Sequence, residues 1–290
     1  MIQPDLNINS IVKQSVDEDL ILGDITTEGL LSPDVYGIGL VISKSCGILA
    51  GIDALKEVFN YIDQDIEVKT IITDGAKLRQ GDVIAEIRGK LHSILKGERT
   101  SLNFLQHLSG VATETYNYVT EVDGHKTKIL DTRKTTPGLR SLEKYAVRIG
   151  GGNNHRYNLG DGILIKDNHI KAMRFQGLCL VDIVKKARSN FPKDMKIQVE
   201  VENLQEVYEA LDGGADALLL DNMDIALLQK AVDIVNGRVI LEASGGINID
   251  NVRDVAATGV DFISVGSITH SKKSFDISLD VSKDSKLYNS

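Results

Sequence analysis

Cysteine occurs twice in this chain of 290 residues, at Cys46 and Cys179, and never as a CxxC pair. That scarcity disfavours a disulfide framework or a zinc site, and it leaves the two thiols as expected small buried hydrophobes. No apolar run approaches the roughly 20 residues that cross a bilayer. The opening stretch MIQPDLNINSIVKQSVDEDL lacks a basic flank followed by an apolar segment. A secretory signal is therefore not expected, and the cytoplasm is the expected location. An excess of positive charge is missing too: the formal net charge is −8, which argues against a nucleic-acid or anionic-membrane binder. What remains is ordinary for a globular protein with a proper core, 42% apolar and 26% charged, in a length that suits one or two domains.

The charge is unevenly spread. Residues 131–171 hold eight Lys/Arg against four acids, a local excess of +4 inside an acidic chain. A basic segment in an acidic protein points to a local site for a small anion, with a solvated basic face as the plainer reading.

Two styles divide the chain. Up to about residue 98, a helical pattern (Leu6, Ile8, Ile11, Val12, Val16, Leu20) is followed by short strand-like runs punctuated by glycine: YGIGLVISKSCGILAG, IEVKTIITDG and DVIAEIRG. The phrase DGAKLRQGDVIAEIRG resembles the turn-and-strand repeat of lipoyl and biotinyl carrier domains, but without their modifiable lysine motif, so the likeness is architectural only. Apolar spacing of three and four predicts a long joining helix from about Glu98 to Glu121. From residue 128 the rhythm becomes strand, polar tip, helix. Six apolar runs stand out, KILDT, GILIKDN, KIQVEVE, ALLLDN, RVILEAS and DFISVG, with helical patterns between several of them, such as Leu204, Val207, Leu211 before Gly213-Gly214, and Ile225 to Val235 before Gly237. Continuous apolar strands alternating with helices imply a parallel sheet covered by helices. Each run ends in a chemically capable group, and in a (β/α) barrel the site lies at the carboxyl ends of the strands. Six strands fall short of the usual eight, so the expectation is an α/β fold containing an open, irregular parallel barrel.

The richest stretch is residues 130–169. Asp131-Thr132-Arg133-Lys134-Thr135-Thr136 leaves a strand and turns at Pro137-Gly138. Arginine offers a planar fork for carboxylate or phosphate, and lysine a compact charge. The glycines of Gly150-Gly151-Gly152 are expected to let backbone approach a ligand closely, ahead of Asn153-Asn154-His155-Arg156. Lys166 and His169 follow at the next strand end. Opposite stand Glu200 and Asp221, carboxylates suited to ribose hydroxyls or to Mg²⁺; Glu202, two residues beyond Glu200, points to the same face and keeps the choice between them open. Ser244-Gly245-Gly246 and Gly266-Ser267 with His270 read as glycine turns whose amides hold phosphate at helix N-termini. For any one of these residues, a surface charge or a satisfied core polar group is the plainer explanation; together, at successive strand tips, they point to one site.

These motifs closely resemble the quinolinate phosphoribosyltransferase family of type II phosphoribosyltransferases. DTRKTTPGLR, NHR and LIKDNH are the specific combination, and Gly23-Asp24-Ile25-Thr26-Thr27 with Glu98-Arg99-Thr100-Ser101-Leu102-Asn103 extend the likeness over nearly the whole chain. One departure is Asn158, where the family pattern has glycine after NHR. The resemblance implies an α/β sandwich-like N-terminal domain (1–110), an α/β barrel domain (111–270) and a C-terminal tail (271–290) packing back on the first. It implies transfer from phosphoribosyl pyrophosphate to quinolinate with decarboxylation, Mg²⁺ as cofactor, and a homodimer in which Arg99 reaches the partner's site. It implies that Arg99, Arg133, Lys134, His155, Arg156 and Lys166 hold quinolinate and the 5-phosphate end of the sugar. Glu200 and Asp221 would then address ribose and metal, with Lys134 beside them in the catalytic set, and Ser244, Gly245, Gly246, Gly266 and His270 would line the phosphate side. Rival readings are a transferase for another pyridine acid, a molybdenum-transport-associated homologue, and a non-catalytic anion sensor on the same barrel.

Overall fold

The computed structural model describes residues 8–192 and 194–282. The chain opens with α1 (Ile8–Asp19), α2 (Ile25–Leu30), β1 (Tyr36–Ser43), β2 (Gly47–Ile48), α3 (Ile52–Ile62), β3 (Glu67–Thr70), β4 (Lys77–Leu78) and β5 (Val83–Lys90). The long helix α4 (Leu91–Glu121), β6 (Lys128–Leu130) and α5 (Arg140–Ile149) come next. Then follow β7 (Ile163–Ile165), α6 (Asp167–Arg174), α7 (Leu180–Asn190), β8 (Ile197–Val201), α8 (Leu204–Gly213) and β9 (Ala217–Asp221). The last elements are α9 (Ile225–Val235), β10 (Ile240–Ser244), α10 (Val252–Ala257), β11 (Phe262–Ser264), α11 (Ser267–His270) and β12 (Ile277–Ser282). They form two compact units. The first takes in Met1–Tyr116, Thr135–Gly151 and Thr269–Ser290, the second Asn117–Lys134 and Gly152–Ile268.

In the first unit an antiparallel sheet has the order β12-β1-β5-β3, beside the small pair β2-β4. β1 is central, with Val41 opposite Leu279 of β12 on one side and Ala85 of β5 on the other. Leu55 and Phe59 of α3, Ile84 and Ile87 of β5, and Ile94, Leu102 and Leu105 of α4 are almost wholly buried in one cluster. Each such side chain contributes about 1.5–3 kcal/mol through burial. α4 begins at Leu91, earlier than the spacing predicts. The pattern is interrupted by Gly97, whose missing side chain admits the Phe59 ring: a Cβ there would come within 2.5 Å of it. A packing requirement hid two turns of helix. The expected N-terminal helix forms as α1 and buries Val12 and Val16; Leu6 lies outside the described residues. Cys46 and Cys179 are both exposed, so the expectation of buried thiols is corrected: each sits in a polar connecting segment rather than on a core face.

The second unit contains a six-stranded parallel sheet in the order β6-β11-β10-β9-β8-β7. All six apolar runs of the sequence are its strands, and the barrel is open: β6 and β7 are its edges, with one bridge from Leu130 to Asn153 on the β6 side. Parallel strands covered on both faces read as continuous apolar runs, and Leu218, Leu219 and Leu220 are accordingly buried together. The register aligns Glu200, Leu219, Glu242 and Phe262 in one row, and Asp221 with Ser244 two residues on. Alternation therefore puts Gln198, Glu200, Asp221, Glu242 and Ser244 on one face of the sheet. Among the described residues, no helix is long and apolar enough to cross a membrane.

Candidate active site

The carboxyl ends of the second unit's strands gather the titratable groups. Asp131, fully buried at the end of β6, accepts the backbone N–H of His155 (2.8 Å) on one oxygen and the Asn154 side-chain amide (2.7 Å) on the other. This carboxylate shapes the segment between β6 and β7. The His155 ring then spans to β10, its Nε2 3.0 Å from Glu242 Oε2. The same Oε2 accepts the Gln198 amide at 2.7 Å, and Glu242 is only 2% exposed. Nδ1 of His155 accepts the backbone N–H of Arg156 at 2.7 Å.

Arg156 reaches toward β7, donating from Nη1 to the Gly162 carbonyl at 2.9 Å. Its Nε is buried and meets no acceptor among the described residues. Burial, and then the charge of Arg133, push the guanidinium pKa down from its ordinary value, which shows that two cations share one poorly hydrated space. Lys166 follows β7, and its Nζ lies 3.9 Å from Glu200 Oε2. Glu200 also accepts the backbone N–H of Asp167 at 3.4 Å. Burial raises the pKa of both Glu200 and Asp221. Asp221 and Asp167 push Glu200 further up and Asp167 does the same to Asp221, while Lys166 opposes the rise in both and Lys134 opposes it in Asp221. Arg133 with Arg156, and Lys134 and Lys166 with Glu200 and Asp221, thus form two electrostatically coupled groups at the strand ends. The Glu200 side chain is 12% exposed, whereas Glu202 lies past the end of β8 and is exposed.

At the end of β9, Asn222 takes a positive φ of 54° and donates to Asp221 Oδ2 at 2.7 Å. Its backbone N–H bonds the Ser244 carbonyl, and Gly245, at φ +85°, lies so close that a Cβ would sit 2.2 Å from Asn222 Oδ1. Only glycine fits there. The expected helix N-terminus directly after Gly246 is not found. Residues 247–251 intervene as a turn closed by Asn248 and Asn251 side chains, and α10 begins at Val252. Gly266 does lead straight into the single-turn α11. The expected ligand approach at Gly150 is also corrected: a Cβ there would meet the Ala112 carbonyl at 2.3 Å, so its close neighbour is helix α4.

Two expected residues belong to the first unit. Arg99 lines a cavity of about 390 Å³ with Glu18, Asp19, Asn103, His107 and Leu139. His270 is exposed, its Nδ1 2.6 Å from Ser271 Oγ. Sequence reasoning missed the part played by Asp131, Gln198 and Glu242. For Gln198 and Glu242 the available signal was period two in QVEVE and ILEAS, which sets these two side chains on the same face as Glu200 and Ser244.

A parallel α/β barrel with clustered cations and paired acids at its strand ends is built to handle polyanionic substrates. The comparisons with known proteins agree. Residues 24–109 match the family model of the quinolinate phosphoribosyl transferase N-terminal domain, and residues 111–280 that of its C-terminal domain. A probable nicotinate-nucleotide pyrophosphorylase (carboxylating) of Bacillus subtilis is 41% identical over 276 residues, covering 95% of this chain and 94% of that one. A quinolinate phosphoribosyltransferase (decarboxylating) of Nicotiana tabacum is 36% identical over 294 residues, 96% of this chain and 83% of that one. The solved nicotinate-nucleotide pyrophosphorylase of Ehrlichia chaffeensis superposes with a TM-score of 0.91 at 42% identity, covering 96% of this chain and all of that one. The chain belongs to the quinolinate phosphoribosyltransferase family, the phosphoribosyl-transferring enzymes of de novo NAD biosynthesis.

Proposed function

We propose that this chain transfers the phosphoribosyl group of phosphoribosyl pyrophosphate to the ring nitrogen of quinolinate, releasing pyrophosphate and CO₂ and forming nicotinate mononucleotide. The observation that carries the reading is the half-buried guanidinium of Arg156, beside Arg133: the Nε of Arg156 finds no acceptor among the described residues. A buried donor without a partner costs about 1–3 kcal/mol, which an anionic ligand recovers.

In this reading Arg133, Lys134, Arg156 and Lys166 hold the carboxylates of quinolinate and the 5-phosphate end of the donor. Their charges are fixed before substrate arrives, so little reorganisation is needed. The ring nitrogen attacks C1 of the ribose as the bond to pyrophosphate breaks. Glu200 and Asp221 hold the ribose hydroxyls and stabilise positive charge on the sugar. The new pyridinium nitrogen then stabilises the electron pair left at the adjacent ring carbon as CO₂ departs, and that carbon takes a proton. Ser244, Gly245, Gly246, Gly266 and His270 serve the phosphate side.

Mg²⁺ fits the acids. Glu200 and Asp221 are partly removed from water, the Asp221 charge raises the Glu200 pKa, and they number two, the usual protein share for a metal that keeps waters and substrate phosphates as its other ligands. Bound there through these two carboxylates, it would neutralise charge on the pyrophosphate leaving group. For the assembly we propose a homodimer in which Arg99 completes the partner's site. Ile21, Leu22, Ile25 and Leu30 support it, being 79–87% exposed around the Gly23 to Thr27 motif, a patch that a second copy would cover. The cytoplasm suits the two exposed, unpaired thiols.

Incubation of the purified protein with quinolinate, phosphoribosyl pyrophosphate and Mg²⁺, with chromatography of the product, tests the reaction. Nicotinate mononucleotide that requires all three components supports it. Turnover only with nicotinate or another pyridine acid overturns the specificity, and silence with every acid despite donor binding overturns the transferase. Mixing Arg99→Ala with Lys134→Ala protein tests the dimer: activity regained in the mixture supports a shared site, and none regained contradicts it.

A further inference from the structure

The geometry points to Glu242 as a positioning residue that aims Arg156 through His155, with His155 acting as a strut rather than as a substrate ligand; this rests on the proposed reaction. A buried carboxylate close to Arg156 repels the very anions that cation would collect, and its burial is costly unless its bonds are satisfied. Here its Oε2 gathers two donors, His155 Nε2 at 3.0 Å and Gln198 Nε2 at 2.7 Å. Its buried Oε1 meets no hydrogen-bond partner among the described residues, so the carboxylate is only half satisfied and its bonded oxygen is the one that fixes His155. Since His155 Nδ1 accepts the Arg156 amide, the ring proton lies on Nε2 and points at Glu242. Both ring nitrogens are engaged inside the protein. The imidazole is thus a rigid spacer between β10 and the backbone of Arg156. Asp131 locks the other end, holding the His155 backbone N–H at 2.8 Å and Asn154 at 2.7 Å. Among the described residues the Arg156 side chain is tethered by one hydrogen bond, from Nη1 to the Gly162 carbonyl at 2.9 Å, so the direction of its fork follows from where its backbone is held.

If Glu242 works this way, and Arg156 is the member of that cationic set that serves quinolinate, removing Glu242 misplaces one guanidinium and leaves the donor end of the site alone. Equilibrium calorimetry of quinolinate and, separately, of phosphoribosyl pyrophosphate reads this without requiring turnover. Glu242→Ala should raise the quinolinate Kd by about 10- to 100-fold, the scale of a displacement near 1 Å in a positioned group, with donor affinity unchanged. Glu242→Gln keeps an oxygen with two lone pairs for the same two donors and should retain most of the affinity. In an Arg156→Ala background, Glu242→Ala should add no further loss. Should Glu242→Ala fail to fold, Glu242→Asp, which draws the carboxylate back by one methylene, should raise the quinolinate Kd alone. Equal weakening of both ligands, or losses that multiply in the Arg156→Ala background, would overturn the inference. Wild-type protein that binds no quinolinate would overturn the reaction and this inference together; wild-type binding left intact by both Glu242→Ala and Glu242→Asp would overturn this inference alone.

Discussion

Each unit of the molecule contains a buried glutamate paired with an imidazole. In the first unit Glu143, fully buried in α5, has Oε1 2.8 Å from His107 Nε2, and Oε2 accepts the backbone N–H of Thr136 at 3.0 Å. His107 Nδ1 in turn lies 3.0 Å from Lys272 Nζ. In the second unit Glu242 meets His155 and Gln198, and His155 passes the connection to the Arg156 amide. The motif is the same but the far ends differ. The Glu143 chain ties α4, a turn, α5 and the segment before β12 together. The Glu242 chain ends on a cation whose buried Nε meets no acceptor among the described residues. A buried His–Glu pair is therefore read by what lies beyond it. The first is expected to serve stability and the second to serve binding.

Substitutions that separate these two roles sharpen the comparison. The largest effect is expected at the end of the second chain. Arg156→Ala and Lys134→Ala should fold normally, by circular dichroism and melting, yet lose on the order of 10²–10³-fold in kcat/KM, as expected for removing a desolvated charge contact. Wild-type-like turnover in either variant would remove that residue from the site. Glu143→Ala should do the reverse. Deleting one partner of a buried pair costs about 3 kcal/mol, which lowers Tm by several degrees, while kcat/KM of the folded protein changes little. A Glu143 variant that melts like wild type but binds quinolinate poorly would abolish the distinction drawn between the units.

A smaller effect is expected at Gly245. Alanine there must adopt φ +85° with its Cβ 2.2 Å from Asn222 Oδ1. The backbone term alone is about 1–2 kcal/mol, and relieving the clash would draw Asn222 away from Asp221. Gly245→Ala should therefore lower Tm modestly and weaken phosphoribosyl pyrophosphate more than quinolinate, measured as separate KM values. The opposite order of weakening would place this turn on the quinolinate side.

The contrast also explains what could be read without coordinates. The barrel strands were legible because strands buried on both faces are written as unbroken apolar runs, and α8 and α9 because their apolar spacing is stopped by Gly213-Gly214 and Gly237. The start of α4 was not, since Gly97 serves the Phe59 ring and reads locally as a break. The cations were legible from their place at successive strand tips. Glu242 was not, because it sits inside the apolar run RVILEAS, and its partners Gln198 and His155 come from strands and loops far along the chain. Sequence spacing reports which side chains share an element. It does not report which share a hydrogen bond across three of them.

The smallest expected effect concerns acid. Burial alone would raise the Glu242 pKa, but the hydrogen bond from His155, joined by the neighbouring Ser264 hydroxyl and the Gln198 amide, outweighs it and holds the carboxyl below its ordinary range. In the unfolded chain the group returns to about 4.3. A depressed folded pKa means that the stabilisation is complete above the unfolded value and is lost as pH falls through the folded one. Urea denaturation of wild type and Glu242→Gln across pH 7 to 3 reads the difference. Above about pH 5 the two stability curves should run parallel. Below it wild type should fall more steeply, because only wild type has a proton to take up at this position on unfolding. A gap between the curves that stays constant down to pH 3 would mean that Glu242 does not enter the fold as a carboxylate, and the likeness between the two buried pairs would then rest on shape alone.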